Sequence, residues 1–208
     1  MKGKGTVLMA LGALLVLAAA ALTGYNLLES GKAKQASAQV VQVLEEELKV
    51  ETMPRQEAAS GETTPETQPD YIRFPNMEMP VTTVDGQDYI GKIQIPVLDL
   101  ELPVLADWSY EGLKTAPCRY RGSAYSGGLI LMAHNFDSHF GRIGDLHPGD
   151  YVFFTDMDGN KFTYLVADQE ELPGTAIEDM EAGDWPLTLF TCTYGGQNRV
   201  TIRCEACA

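Results

Sequence analysis

The spacing of hydrophobic and polar positions changes several times along this chain. From Gly5 to Leu28 there is no charge, and the centre of the run, VLMALGALLVLAAAAL, is almost purely apolar. A helix of about 20 such residues crosses the hydrocarbon core of a bilayer, so residues 5–28 are expected to be a transmembrane anchor. From Ala33 to Val50 the pattern becomes amphipathic: Val40, Val41, Val43, Leu44 and Leu48 form a modest stripe, with Glu45–Glu47 expected in water, which predicts a helical stalk. Residues 51–70, ETMPRQEAASGETTPETQPD, are polar and rich in Pro, Thr and Glu, as in a flexible linker. Beyond Tyr89 the period is that of strands. In GKIQIPVLDLELPVL, Ile93 and Ile95 alternate with polar residues, as do Leu98, Leu100 and Leu102, and Pro96 and Pro103 mark strand ends or bulges. YVFFTDMDGNKFTYLVA reads as a hairpin turning at Asp158-Gly159, PLTLFTCTY as another strand and RVTIRCEA as the last. Helical pattern after the linker is short, around Tyr110–Lys114 and Ile177–Glu181. Many short strands with few helices predict an all-β domain, a closed or nearly closed barrel, with a sandwich left open.

The pattern therefore divides the chain into a tail (1–4), an anchor (5–28), a stalk and linker (29–70) and a folded domain (71–208). Lys2 and Lys4 before the apolar run and Glu29 after it place the N-terminus inside and the domain outside the cell. A cleaved signal peptide, cut near Ala36-Ser37-Ala38, is the competing reading; its apolar region is usually only about 7–15 residues, so an uncleaved anchor is expected. Composition adds one exclusion. The net charge of −14 argues against a nucleic-acid partner, because phosphates would be repelled.

Four cysteines (Cys118, Cys192, Cys204, Cys207) and three histidines (His134, His139, His147) are candidates for nucleophile and base. Cys192 ends the strand-like Leu187–Thr191 and precedes Tyr194-Gly195-Gly196, a placement that opens a side chain to a cleft. By local context alone it is either a nucleophile or a small buried strand residue. His134 follows the apolar run GLILMA, with Asn135 as a candidate for orienting it. Arg199 opens the last strand, and residues 199, 201 and 203 share a face. A guanidinium there suits a carbonyl oxygen or a developing oxyanion, although a lone Arg is by default a solvated charge. His139 and His147 lie in polar stretches read as surface loops, His139 being the rival to His134. Trp108 and Trp185 read as packing residues near loop ends. Asp107, Asp137 and Asp145 read as turn or solvent residues, one of them a candidate for orienting His134.

Taken together, these segments resemble the sortase family over roughly residues 89–204. Thr188-Leu189-Phe190-Thr191-Cys192 is similar to its TLxTC signature, and Ile90–Pro96 with Leu102-Pro103-Val104 to its first strands. Ala133-His134 resembles the strand end with the catalytic histidine, Leu146–Asp150 the LxxGD turn, and Arg199 the catalytic arginine. The resemblance implies an eight-stranded β-barrel and a membrane-anchored cysteine transpeptidase with His134, Cys192 and Arg199 as its site. The implied substrates are exported proteins with a C-terminal LPxTG-like motif. The acyl group would pass to an amine of a cell-wall precursor or a pilin lysine. No metal or organic cofactor is implied; calcium modulates some members, but no ligand cluster for it is visible in the sequence. A membrane-bound cysteine peptidase that mainly hydrolyses would use the same residues.

Several features depart from the better-known members. Ala133 replaces the usual glycine before the histidine. The chain ends at Ala208, directly after the last strand, without the C-terminal membrane segment of many pilus-polymerising members, so attachment of surface proteins to the wall is expected over pilus assembly. Leu172–Trp185 is too short for the helical insertion of class B, which suggests a smaller, class D-like sortase. FPNMEMPVTT before the barrel is expected to be a plain extension, with a lid over the cleft as the alternative. For Cys204-Glu205-Ala206-Cys207 and Cys118, a disulfide from Cys118 to Cys204 or Cys207 and free thiols both fit an extracellular domain.

Overall fold

The computed structural model describes residues 3–52 and 68–207; most of the expected linker, residues 53–67, lies outside them. The apolar run and the stripe after it form one continuous helix, α1 (Gly3–Thr52). Residues 7–28 of α1 touch almost nothing and carry the chain's apolar span, in which an 18-residue stretch reaches a mean hydropathy of 2.4. Beyond Leu28 the helix gains a face. Ala33, Ser37, Val40, Val41 and Leu44 recur every three or four residues and are buried, while Val43 is exposed. Small residues at 33 and 37 let the helix approach the barrel closely enough for Ser37 Oγ to donate to Thr115 O at 2.7 Å. The segment read as a stalk thus packs on the folded domain, and Ser37 of the alternative cleavage site is buried in that contact. Glu45, expected in water, accepts from Lys92 Nζ at 2.6 Å.

After α2 (Asp70–Arg73) come nine strands: β1 (Thr82–Val84), β2 (Gln87–Ile95), β3 (Leu100–Leu105), β4 (Cys118–Ser123), β5 (Gly127–Met132), β6 (Tyr151–Asp156), β7 (Lys161–Pro173), β8 (Leu187–Cys192) and β9 (Asn198–Ala206). Helix α3 (Ile177–Glu181) lies between β7 and β8. The order is β1-β2-β3-β4-β5-β8-β9-β7-β6, and β6 also pairs with β2. Because β1 pairs only with β2, the other eight strands close on themselves, as expected from the resemblance. Closure pairs every one of these strands on both sides, although β3 meets β4 at a single residue pair. Pairings β3–β4 and β5–β8 are parallel and the rest antiparallel.

The barrel interior is filled by alternate residues of nearly every strand, among them Ile93, Leu102, Leu131, Phe154, Val166, Leu189 and Ile202. A second cluster seals the seam between α1 and the barrel: Val40 and Leu44 meet Tyr89, Leu105, Leu113, Ala116, Cys118 and Met157. Pro103, expected at a strand end or bulge, lies inside β3 opposite Lys92. It is tolerated because β3 meets β4 only at Leu105, so Pro103 has no neighbour on that side. The hairpin at Asp158-Gly159 forms as expected. Its turn is organised by Asp156, whose carboxylate accepts from the Asp158 and Asn160 backbone N–H groups, Asn160 Nδ2 and the Tyr125 hydroxyl. The extension before β1 packs on the barrel: Met79 is buried in the core, Tyr71 stacks on Tyr125 at 4.8 Å, and Pro75–Glu78 border Tyr120, a residue that also lines the cleft described below.

Candidate active site

Cys192 is the last residue of β8 and stands directly opposite Arg199, the second residue of β9. Five residues join the two strands, closed by Thr193 N–H to Asn198 O and Gly196 N–H to Thr193 O. Gly195 and Gly196 take φ of +112° and +72°, which only glycine adopts without strain. On the other side, β8 runs parallel to β5, with Met132 beside Phe190. Ala133 N–H donates to Phe190 O at 3.3 Å, and Thr191 Oγ1 donates to Ala133 O at 2.9 Å. The residues that follow Ala133 and Thr191 are His134 and Cys192. Alternation along β8 sends Leu187 and Leu189 into the core and Thr188, Phe190 and Cys192 outward.

Cys192, His134 and Arg199 line one cleft of about 300 Å³, whose other walls are largely apolar: Trp108, Tyr110, Leu113, Tyr120, Ile177 and Met180 are among them. The three candidate residues therefore come together. His139, read as a surface residue and rival base, does not join them. It is fully buried, and neither ring nitrogen has a hydrogen-bond partner among the described residues. Phe136 lies between the two imidazoles, 4.9 Å from His134 and 5.7 Å from His139. The loop after His134 folds back on itself, with Phe140 N–H reaching His134 O, and draws His139 inside. Gly141 is needed there, because a methyl group would lie 2.6 Å from Asn135 O. His147 is exposed, and its N–H caps onto Asp150 in the LxxGD-like turn.

Electrostatics separate the candidates. Burial, and secondarily the Lys114 charge, lower the pKa of His134 below its usual value, favouring neutral imidazole. Burial pushes the Cys118 thiol up to about 11 and Cys204 up to about 12, so neither supplies thiolate near neutral pH. Cys207 is partly buried and lines a different cavity. All four cysteines are free thiols, so neither candidate disulfide is formed. Arg199 Nη1 donates to Gly196 O and Asn198 O at 3.0 and 3.1 Å, which leaves Nε and Nη2 without a partner among the described residues. Gly174 gives the guanidinium room; a methyl group there would stand 3.2 Å from Nη1 and 2.8 Å from Gln197 O. Asp107 lies 3.9 Å from Arg119, Asp145 3.4 Å from Arg142, and Asp137 is exposed. Among the described residues neither these carboxylates nor Asn135 hydrogen-bonds His134. Trp108 is half exposed at the cleft rather than packed.

One supporting residue escaped the sequence reading. Arg203 is buried, and its guanidinium donates to Glu170 (2.7 Å), Met180 O (2.8 Å), Thr188 Oγ1 (3.1 Å) and Asp179 O (2.7 Å). It thereby pins α3, which supplies the Ile177 and Met180 wall of the cleft. Its signal in the sequence was the shared face with Arg199, which says where the side chain starts but not what it meets.

A closed barrel in which a thiol, an imidazole and a guanidinium open on one apolar cleft holds the groups that a thiol enzyme uses. The sortase-domain family model matches residues 93–207, more than half of the chain, and the chain belongs to the sortase family, whose members are cysteine transpeptidases. Sortase A of Bacillus anthracis is 29% identical over 131 residues, 60% of this chain. The matched segment spans only 60% of that relative's own length. Among solved structures, a Clostridium perfringens sortase D5 transpeptidase shares 18% identity over 61% of this chain and 83% of its own, with a TM-score of 0.52. Listeria monocytogenes sortase A shares 22% over 58% of this chain and 88% of its own, TM-score 0.52. Sortase C1 of pilus island 1 from group B Streptococcus shares 21% over 58% of this chain and 64% of its own, TM-score 0.51. The fold is common to sortases named A, C and D alike.

Proposed function

We propose that this protein is a membrane-anchored transpeptidase that cleaves an LPxTG-like sorting motif through a thioester on Cys192 and passes the acyl group to an amine, attaching exported proteins to the cell wall. The observation that carries the reading is the register: β9 sets Arg199 opposite Cys192, and β5 ends beside β8 so that His134 reaches the same cleft. The Cys192 thiol gives its proton to neutral His134, and the thiolate attacks the carbonyl carbon of the motif's Thr. Arg199 Nε and Nη2 hold the oxygen as it gains negative charge. His134 then protonates the leaving nitrogen, the C–N bond breaks and a thioester remains. In the second half neutral His134 takes a proton from the incoming amine, which displaces Cys192. No metal or organic cofactor enters these steps. The apolar span of α1 is the anchor, with the basic tail inside and the barrel outside.

The test is incubation of the chain with LPxTG-like peptides, with and without excess amine, followed by mass spectrometry. A mass increase on Cys192 and a ligated product are expected, and Cys192→Ala abolishes both. Hydrolysis alone, with every amine offered, would refute transpeptidation.

A further inference from the structure

Contacts along α1 give the barrel a polarity relative to the apolar span. Just past Leu28, Ser30 Oγ lies 3.2 Å from Ser138 Oγ, and Ser138 Oγ donates to Ser30 O at 3.0 Å. Lys114 sits at the same level: its pKa is raised mainly by Glu111, with further contributions from Tyr25 and Glu29 of α1. Farther along the helix, Ser37 bonds Thr115, Leu44 packs with Leu105 and Met157, and Glu45 takes Lys92. Leu48 reaches the tip of the β6–β7 hairpin, where a methyl group on Gly159 would stand 4.0 Å from its Cδ2. From Ser30 to Leu48 the helix rises about 27 Å. The loop after His134 and the turn carrying Lys114 are therefore the parts of the barrel next to the span, and the β6–β7 hairpin is far from it.

Large apolar side chains stand exposed at this same end. Tyr110 is 76% exposed, Ile177 57% and Trp108 44%, all at the cleft; Tyr194, in the β8–β9 turn, is 80% exposed and outside the cleft lining. A peptide in the cleft does not account for Tyr194. The adjoining segments of α1 and of the loops carry charges of both signs, Lys32, Lys34 and Lys114 against Glu29, Asp107, Glu111 and Asp137, so no single sign of lipid is selected. Trp and Tyr rings, apolar in body and polar at the tip, prefer the headgroup level of a bilayer.

We infer that the cleft end of the barrel rests on the outer lipid headgroup interface, with Trp108, Tyr110 and Tyr194 seated in it, and that the packed half of α1 is the post that holds it there. The inference rests on the reading of α1 as a membrane span. Its consequence is that the cleft opens at the bilayer surface, so substrates that are themselves held at the membrane reach Cys192 by moving in its plane.

The experiment uses the full chain in phosphatidylcholine vesicles, with or without brominated acyl chains. Trp185→Phe leaves Trp108 as the sole tryptophan; Trp108→Phe leaves Trp185, which lines a different cavity beside the start of β8. Bromine is expected to reduce Trp108 emission by roughly half and to leave Trp185 unchanged. Flotation with the vesicles reports the span separately. A chain that floats but whose Trp108 is unquenched overturns this inference and leaves the anchor standing, whereas a chain that does not float overturns both. Leu44→Asp, which puts a charge in the α1–barrel seam, is expected to abolish the quenching while hydrolysis of a soluble peptide persists; quenching that survives it removes α1 from the role of post.

Discussion

His139 makes the folded state pay for acid. Burial, reinforced by the neighbouring His134, lowers its pKa from 6.5 to about 4. An unfolded chain would bind this proton near pH 6.5, whereas the native chain holds out to about pH 4. Between those values the unfolded state binds more protons, so stability falls as pH falls. It is fully retained above pH 6.5, and the loss is complete near pH 4. A displacement of this size corresponds to about 3 kcal/mol, a large share of the stability of an ordinary domain. The perturbation is His139→Phe, which keeps a ring beside Phe136 and removes the titrating group. Urea unfolding of the detergent-solubilised chain, followed by tryptophan emission at a series of pH values, measures the slope. The wild type should lose about 3 kcal/mol more than the variant on going from pH 6.5 to pH 4. A packing penalty from the larger ring shifts the variant's stability at every pH alike and leaves the slope untouched. Parallel curves for the two proteins would refute the reasoning.

Arg203→Met removes an ion pair and three further hydrogen bonds from a buried guanidinium. It should cost about 3 kcal/mol in urea unfolding and raise KM as α3 loosens, and Arg203→Lys should recover only part because one ammonium cannot replace the planar fork. Lys114→Met removes the positive charge that helps hold His134 low. The His134 pKa, read by NMR titration, should rise, and the acid limb of kcat/KM should move to higher pH with it; an unmoved limb would separate His134 from proton transfer.

Local signals carried much of this protein. The uncharged run 5–28, the period-two segments, the Asp158-Gly159 turn and the five-residue helix at Ile177–Glu181 are each written in neighbouring residues, so each was legible without the fold. Cys192 and Arg199 were legible almost as well, because a short turn joins their strands and antiparallel pairing sets them opposite. His134 was legible only through its family context, since its place beside Cys192 depends on the parallel β5–β8 pairing across some 55 intervening residues. Long-range packing decided the rest. The stripe after the span was visible, but not whether it faced water or protein; Ala33 and Ser37, too small to signal a core, turned out to seat α1 on the barrel. His139 reads as a polar loop residue and is buried because Gly141 lets the loop fold back over it. Arg203 reads as an alternate strand residue and is a clamp because α3 comes to lie above it. Sequence alone determined which residues could do chemistry, since that follows from side-chain type and local spacing. Which of the four thiols opens on a cleft, and which end of the barrel α1 meets, only barrel closure decided, because burial and contact arise from segments far apart in the chain.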